Sequence, residues 1–197
     1  CIVMWCIANE PDTAANSDSA YNYFRPLYKL AHECDPQNRP VTITGVMSAY
    51  VNDKTIPAMD VICLNRYYGW YVCGGDIKMA KQMLSAELSY WKTQNKPVIF
   101  TEYGADAVLG LRSTIPVMFT EEYQVECLKM NNQVFDEYDC VVGEHVWNFA
   151  DFQTEEGLMR VDGNKKGVFA RDRSPKFAAH YMRARWSNIP DFNYKLK

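Results

Sequence analysis

The chain has 197 residues, of which 48% are hydrophobic and 14% aromatic, enough for one domain with a sizeable core. Its 24 acidic residues against 21 basic ones leave a net charge of -3, which argues against a nucleic-acid binder. The aromatic content excludes a disordered chain, and no apolar run approaches the ~18 residues of a membrane-spanning helix.

The predicted elements begin with an apolar strand at residues 2–8. Asp18, Tyr21, Phe24, Leu27, Tyr28 and Ala31 then recur at helical spacing, and residues 41–44 and 61–64 form two further β-rich runs. Ile77, Ala80, Leu84, Leu88 and Trp91 trace one face of a helix that Asn95 and Pro97 close. A strand at 98–101 follows, then a helix marked by Phe119, Tyr123, Cys127, Met130 and Val134, a strand at 141–147 and a last helix at 175–185. Short apolar runs alternating with amphipathic stretches are the pattern of βα units on a parallel sheet.

Five such units average about 39 residues each, whereas eight would leave only about 25, too few for strand, loop and helix. Two α/β solutions fit: an open doubly wound sheet, or five-eighths of a (β/α)8 TIM barrel. Polar and aromatic clusters at the C-terminal strand ends favour the barrel, which places its chemistry on that rim. They are Asn9-Glu10-Pro11, the run from Asn65 to Trp70, Glu102-Tyr103-Gly104 and Trp147-Asn148. No GxGxxG or Walker loop supports a nucleotide-binding sheet.

Seven cysteines, an odd number without CxxC pairing, read as reduced thiols rather than zinc ligands or a disulfide framework. Cys6, Cys63 and Cys140 lie in apolar runs and are expected in buried strands. Free thiols lean towards a reducing, cytoplasmic compartment. The chain starts inside an apolar run without an initiator Met, so it reads as a piece of a longer protein, and any signal peptide would lie outside it. His32, His145 and His180 share no metal-ligand spacing, and no metal site is expected.

Glu10 and Glu102 each follow a strand too apolar to hold an ionised carboxylate unless the side chain projects into a cleft. In a barrel both can face one pocket, as glycoside hydrolysis requires of an acid and a nucleophile. Trp147, Trp70, Tyr67, Tyr68 and Tyr71 sit at or just after strand ends, where they can stack on a sugar ring or fill the core. Between Leu158 and Lys176 there are six bases and two acids, a local +4 suited to an anionic ligand group. The Asp162-Gly163-Asn164 turn inside that cluster can hold Asn164 and Lys166 at fixed positions.

With these residues the chain resembles the β-glucuronidases of glycoside hydrolase family 2. The matching stretches are residues 4–13, 64–71, 101–106, 142–152 and 164–176. The resemblance implies the C-terminal part of a TIM-barrel catalytic domain, strands four to eight, with the first three βα units and the preceding β-sandwich domains absent. It implies Glu10 as general acid/base, Asn9 as the amide holding the 2-hydroxyl, and Glu102 as the nucleophile with Tyr67 beside it. Asn164-x-Lys166 would grip the C6 carboxylate of a glucuronic acid, with Arg160 in support and Tyr71 and Trp147 in the sugar pocket. No cofactor is implied, and the partner is a small-molecule or glycan β-glucuronide, with a homo-oligomer expected of the whole protein. A β-galacturonidase, a β-galactosidase and a non-catalytic carbohydrate-binding fragment are the alternatives.

Overall fold

All nine predicted elements are present, with shifted ends, in the computed structural model, which describes residues 1–189. They are β1 (Trp5–Asn9), α1 (Ser17–Cys34), β2 (Val41–Gly45), β3 (Ile62–Asn65), α2 (Ile77–Lys92), β4 (Val98–Tyr103), α3 (Glu121–Glu137), β5 (Val141–Val146) and α4 (Phe177–Ser187). The strands form one sheet in chain order from β1 to β5, and the β1–β2 and β2–β3 pairs are parallel. Parallel neighbours need a crossover, and between β2 and β3 two 3-10 turns, Tyr50–Asn52 and Ile56–Ala58, supply it in place of a helix.

Burial follows strand position. Every residue of β2 and β3 is buried, as expected of strands with neighbours on both sides. The strand β1 lies at the end of the order, and its residues are exposed or half-buried. This corrects the expectation for two cysteines: Cys6 is exposed on β1, and Cys140 falls just before β5, half-buried. Cys63 on β3 is buried as expected. An apolar run records a need for a covering neighbour, not that one is present. All seven cysteines are free.

Contacts divide the chain into two compact units. The first comprises Cys1–Arg66, Ala86–Thr101 and Cys140–Glu144; the second comprises Tyr67–Ser85, Glu102–Asp139 and the chain from His145 onward. In the first unit Ile43, Ile62, Leu64, Leu88, Trp91 and Phe100 are buried. Arg66 is buried among them, its Nε donating to Glu87 Oε1 at 2.8 Å and its Nη1 to the carbonyls of Gly45 and Asn65 at 2.8 Å each. Trp91 Nε1 also donates to Glu87 at 2.8 Å, so the buried pair has its hydrogen bonds filled.

The second unit is built on α3 and α4, with Tyr123, Cys127, Val134, Phe135, Ala178 and Met182 buried. The start of α3 is set by Thr120, whose Oγ1 accepts from Tyr123 N–H at 3.2 Å. Phe119 therefore precedes the helix instead of opening it, with φ 71°. Tyr68 and Trp70 are buried in this unit.

Candidate active site

The end of β1 carries an irregularity that aims Asn9 and Glu10. Cys6 pairs with Thr42, but Asn9 rather than Ala8 pairs with Thr44, so β1 holds one extra residue. A one-residue bulge exchanges the faces of the residues beyond it and often re-aims a side chain beside a site. Glu10 follows with φ 52°, a left-handed conformation costly for a glutamate, while its N–H donates to Thr44 O at 2.9 Å. Asn65, the last residue of β3, donates from Nδ2 to Glu10 Oε1 at 2.9 Å and reaches Asn9 Oδ1 at 3.4 Å. Thr101 Oγ1 donates to Asn65 Oδ1 at 2.7 Å, which fixes the amide with its N–H face towards Glu10.

Glu102 lies inside β4 rather than after it, one residue before the strand ends. It is half-buried, and its Oε2 accepts a 2.6 Å hydrogen bond from Tyr67 Oη. Gly104 follows at φ +146°, where a Cβ would stand 2.8 Å from the Trp147 carbonyl oxygen. The approach of β5 to this turn is also held by Trp147 N–H donating to Tyr103 O at 2.9 Å. Trp147 itself is half-buried and packs edge to face on Phe152.

The basic stretch divides by burial: Lys166 and Lys176 are buried, Arg160 and Lys165 half-buried, and Arg171 and Arg173 exposed. Asp162 and Gly163 have φ 53° and 88°, two successive left-handed residues that turn the chain before Asn164. Asn164 then pairs with Phe152 in an isolated antiparallel bridge, and its Oδ1 accepts from Lys166 N–H at 3.0 Å. That commits the oxygen of the amide to the loop. Lys166 is fully buried; its Nζ donates to Asp106 Oδ1 and, at 2.9 Å, to Tyr71 Oη, and lies 4.6 Å from the Tyr71 ring centroid. Arg160 stands 3.9 Å from Asp106 Oδ1 and over the Tyr71 ring. Tyr71 is 42% exposed, so one face of this cluster opens to solvent.

Burial pushes the Lys166 ammonium down to about 8, against the pull of Asp106, which favours the charged form. Burial likewise raises the Tyr71 hydroxyl, which stays neutral and able to accept from the lysine. Two cations, Lys166 and Arg160, face one carboxylate, Asp106, so the cluster keeps a net positive charge.

Glu10 and Asn9 thus stand with Asn65 in the first unit. Glu102, Tyr67, Tyr71, Trp147, Arg160, Asn164 and Lys166 stand in the second. Sequence reasoning missed Asn65, Thr101 and Asp106, although all three lie within stretches that carried the family resemblance. It also missed Lys176, whose buried Nζ donates to Asp151, Ala107 O and Lys165 O and so ties the grip loop down. Among the described residues no group of three His, Cys, Asp or Glu side chains is placed to hold a metal ion.

The sequence matches the glycosyl hydrolases family 2, TIM barrel domain, over residues 1–190. The chain belongs to this family. Its sheet of five strands with alternating helices is therefore part of a TIM barrel. A curated β-glucuronidase of Streptococcus agalactiae is 46% identical over 98% of the chain, and the human β-glucuronidase 44% identical over 95%. Among solved structures, Bifidobacterium dentium β-glucuronidase complexed with coumarin-3-O-glucuronide superposes with a TM-score of 0.95 at 50% identity over 98% of the chain. Faecalibacterium prausnitzii β-glucuronidase gives 0.95 at 49% identity over the same share. The chain spans about a third of these proteins: 33% and 29% of the two curated relatives, 32% and 33% of the two structures.

Proposed function

We propose that the protein hydrolyses β-D-glucuronides with retention of configuration, Glu102 acting as nucleophile and Glu10 as general acid/base. The observation that carries the substrate class is the buried Lys166 ammonium, backed by Arg160 and flanked by the Asn164 amide. A fixed cation and amide favour a ligand carboxylate, because a neutral sugar brings no charge to match the ammonium. The similarity to β-glucuronidases supports the same reading.

Retaining hydrolysis takes two steps. Glu102 attacks the anomeric carbon as an anion while Glu10 protonates the departing oxygen; water then displaces the sugar, with Glu10 as base. Tyr67 Oη orients the carboxylate of Glu102 through its 2.6 Å hydrogen bond. Asn65 occupies Oε1 of Glu10 as a donor, which assigns the transferable proton to Oε2.

The test is hydrolysis of an aryl β-glucuronide, β-galacturonide and β-galactoside sharing one aglycone, using the longest natural chain that carries this sequence. A kcat/KM highest for the glucuronide is expected. Preference for the galactoside overturns the uronate reading, and preference for the galacturonide moves the substrate to the C4 epimer with the same grip. Glu102→Gln is expected to lower turnover by on the order of 10^4-fold with sugar binding retained. Full turnover by that variant removes Glu102 from the nucleophile's role.

A further inference from the structure

The Asp106 carboxylate is an unexpected neighbour for a cation meant to receive an anion. It is fully buried and weakens the positive field on which the grip depends. Its two oxygens divide the work. Oδ1 accepts from Lys166 Nζ, and Oδ2 accepts from the backbone N–H of Lys165 at 2.9 Å. A single side chain therefore fixes both the ammonium and the loop from which it springs. Ala107, one residue on, donates its N–H to Lys165 O at 3.0 Å, so the segment that follows β4 and the grip loop are stitched at three points.

From this geometry we infer that Asp106 is the positioning residue of the carboxylate grip. It holds the Lys166 ammonium charged and aimed, with Tyr71 Oη as second partner. The inference rests on the glucuronide reading above. The groups facing Lys166 are the Asp106 carboxylate, the Arg160 guanidinium, the Tyr71 hydroxyl, the Tyr67 and Trp70 rings and the Cys127 thiol. Asp106 is the anion among them, because burial pushes Cys127 up to about 12 and keeps it a thiol. Replacing Asp106 with a neutral amide removes the charge that favours the protonated lysine and leaves the shape of the side chain nearly unchanged.

The experiment measures KM and kcat for an aryl β-glucuronide between pH 6 and 9.5, in wild type and Asp106→Asn of the longest natural chain. Wild-type KM is expected to rise with pH as Lys166 loses its proton. In Asp106→Asn that rise should begin about one pH unit or more lower, with KM at pH 7 at least about tenfold higher and the loss falling mainly on KM. An unshifted KM profile in the variant overturns the inference even where glucuronide preference is confirmed. Absence of that preference in wild type strikes instead at the proposed function. Should Asp106→Asn fail to fold, Lys166→Gln is compared with Lys166→Gln/Asp106→Asn, since neutralising both removes the unpaired buried charge. Equal kcat/KM of the two supports the inference; a further tenfold drop in the double variant assigns Asp106 a separate role and overturns it.

Discussion

At the residue scale, the site residues divide by what their partners make of them. A lysine in the middle of a basic stretch reads as solvated, yet the Lys165 side chain is only 16% exposed, its Nζ pairing with the exposed Asp162 at 2.6 Å. Lys166, one residue on, is fully buried, and burial lowers it to about 8. The sign of the pH effect follows: below about 8 the side chain is a cation, as the proposed carboxylate contact requires, and above it a neutral amine. The KM for a β-glucuronide is therefore expected to rise above pH 8 while the KM for a neutral β-glycoside, where one is turned over, does not follow. Initial rates against substrate concentration at pH 7 and pH 9 check this. A parallel rise for both substrates would detach the effect from Lys166.

At the element scale, Glu10 and Glu102 are presented by opposite devices. Glu102 is a regular member of β4, whereas Glu10 is turned out by the one-residue bulge in β1 and a left-handed φ of 52°. Both stood out in the sequence as carboxylates closing apolar runs, but the bulge that turns Glu10 leaves no mark in hydropathy. The turn after β4 is held by Gly104, where any side chain would meet the Trp147 carbonyl at 2.8 Å in a backbone conformation that disfavours it. Gly104→Ala is expected to lower stability by about 1–3 kcal/mol and to reduce kcat through displacement of Glu102. Urea denaturation midpoints together with kcat test both; a stable variant with wild-type kcat would show that the turn relaxes freely.

At the scale of the whole molecule, the exposed edge matters most. Ile2, Val3 and Trp5 are 50%, 74% and 37% exposed at β1, a strand with one neighbour in the sheet. An apolar edge strand is a template for pairing with another chain. The 197 residues on their own are expected to self-associate with rising concentration in sedimentation velocity, and Val3→Lys to reduce this; a monomer at all concentrations would contradict it. The order of βα units, the strand-end glutamates and the Asn164-x-Lys166 turn were legible in the sequence because each is local, spelled by spacing and turn residues within a few positions. The inward turn of Arg66, the exposure of Cys6, and the partners of Glu10 and Lys166 were decided only by the tertiary structure. Asn65 lies 55 residues from Glu10 and Asp106 lies 60 from Lys166, so these hydrogen bonds exist only once the chain has brought distant strands and loops together.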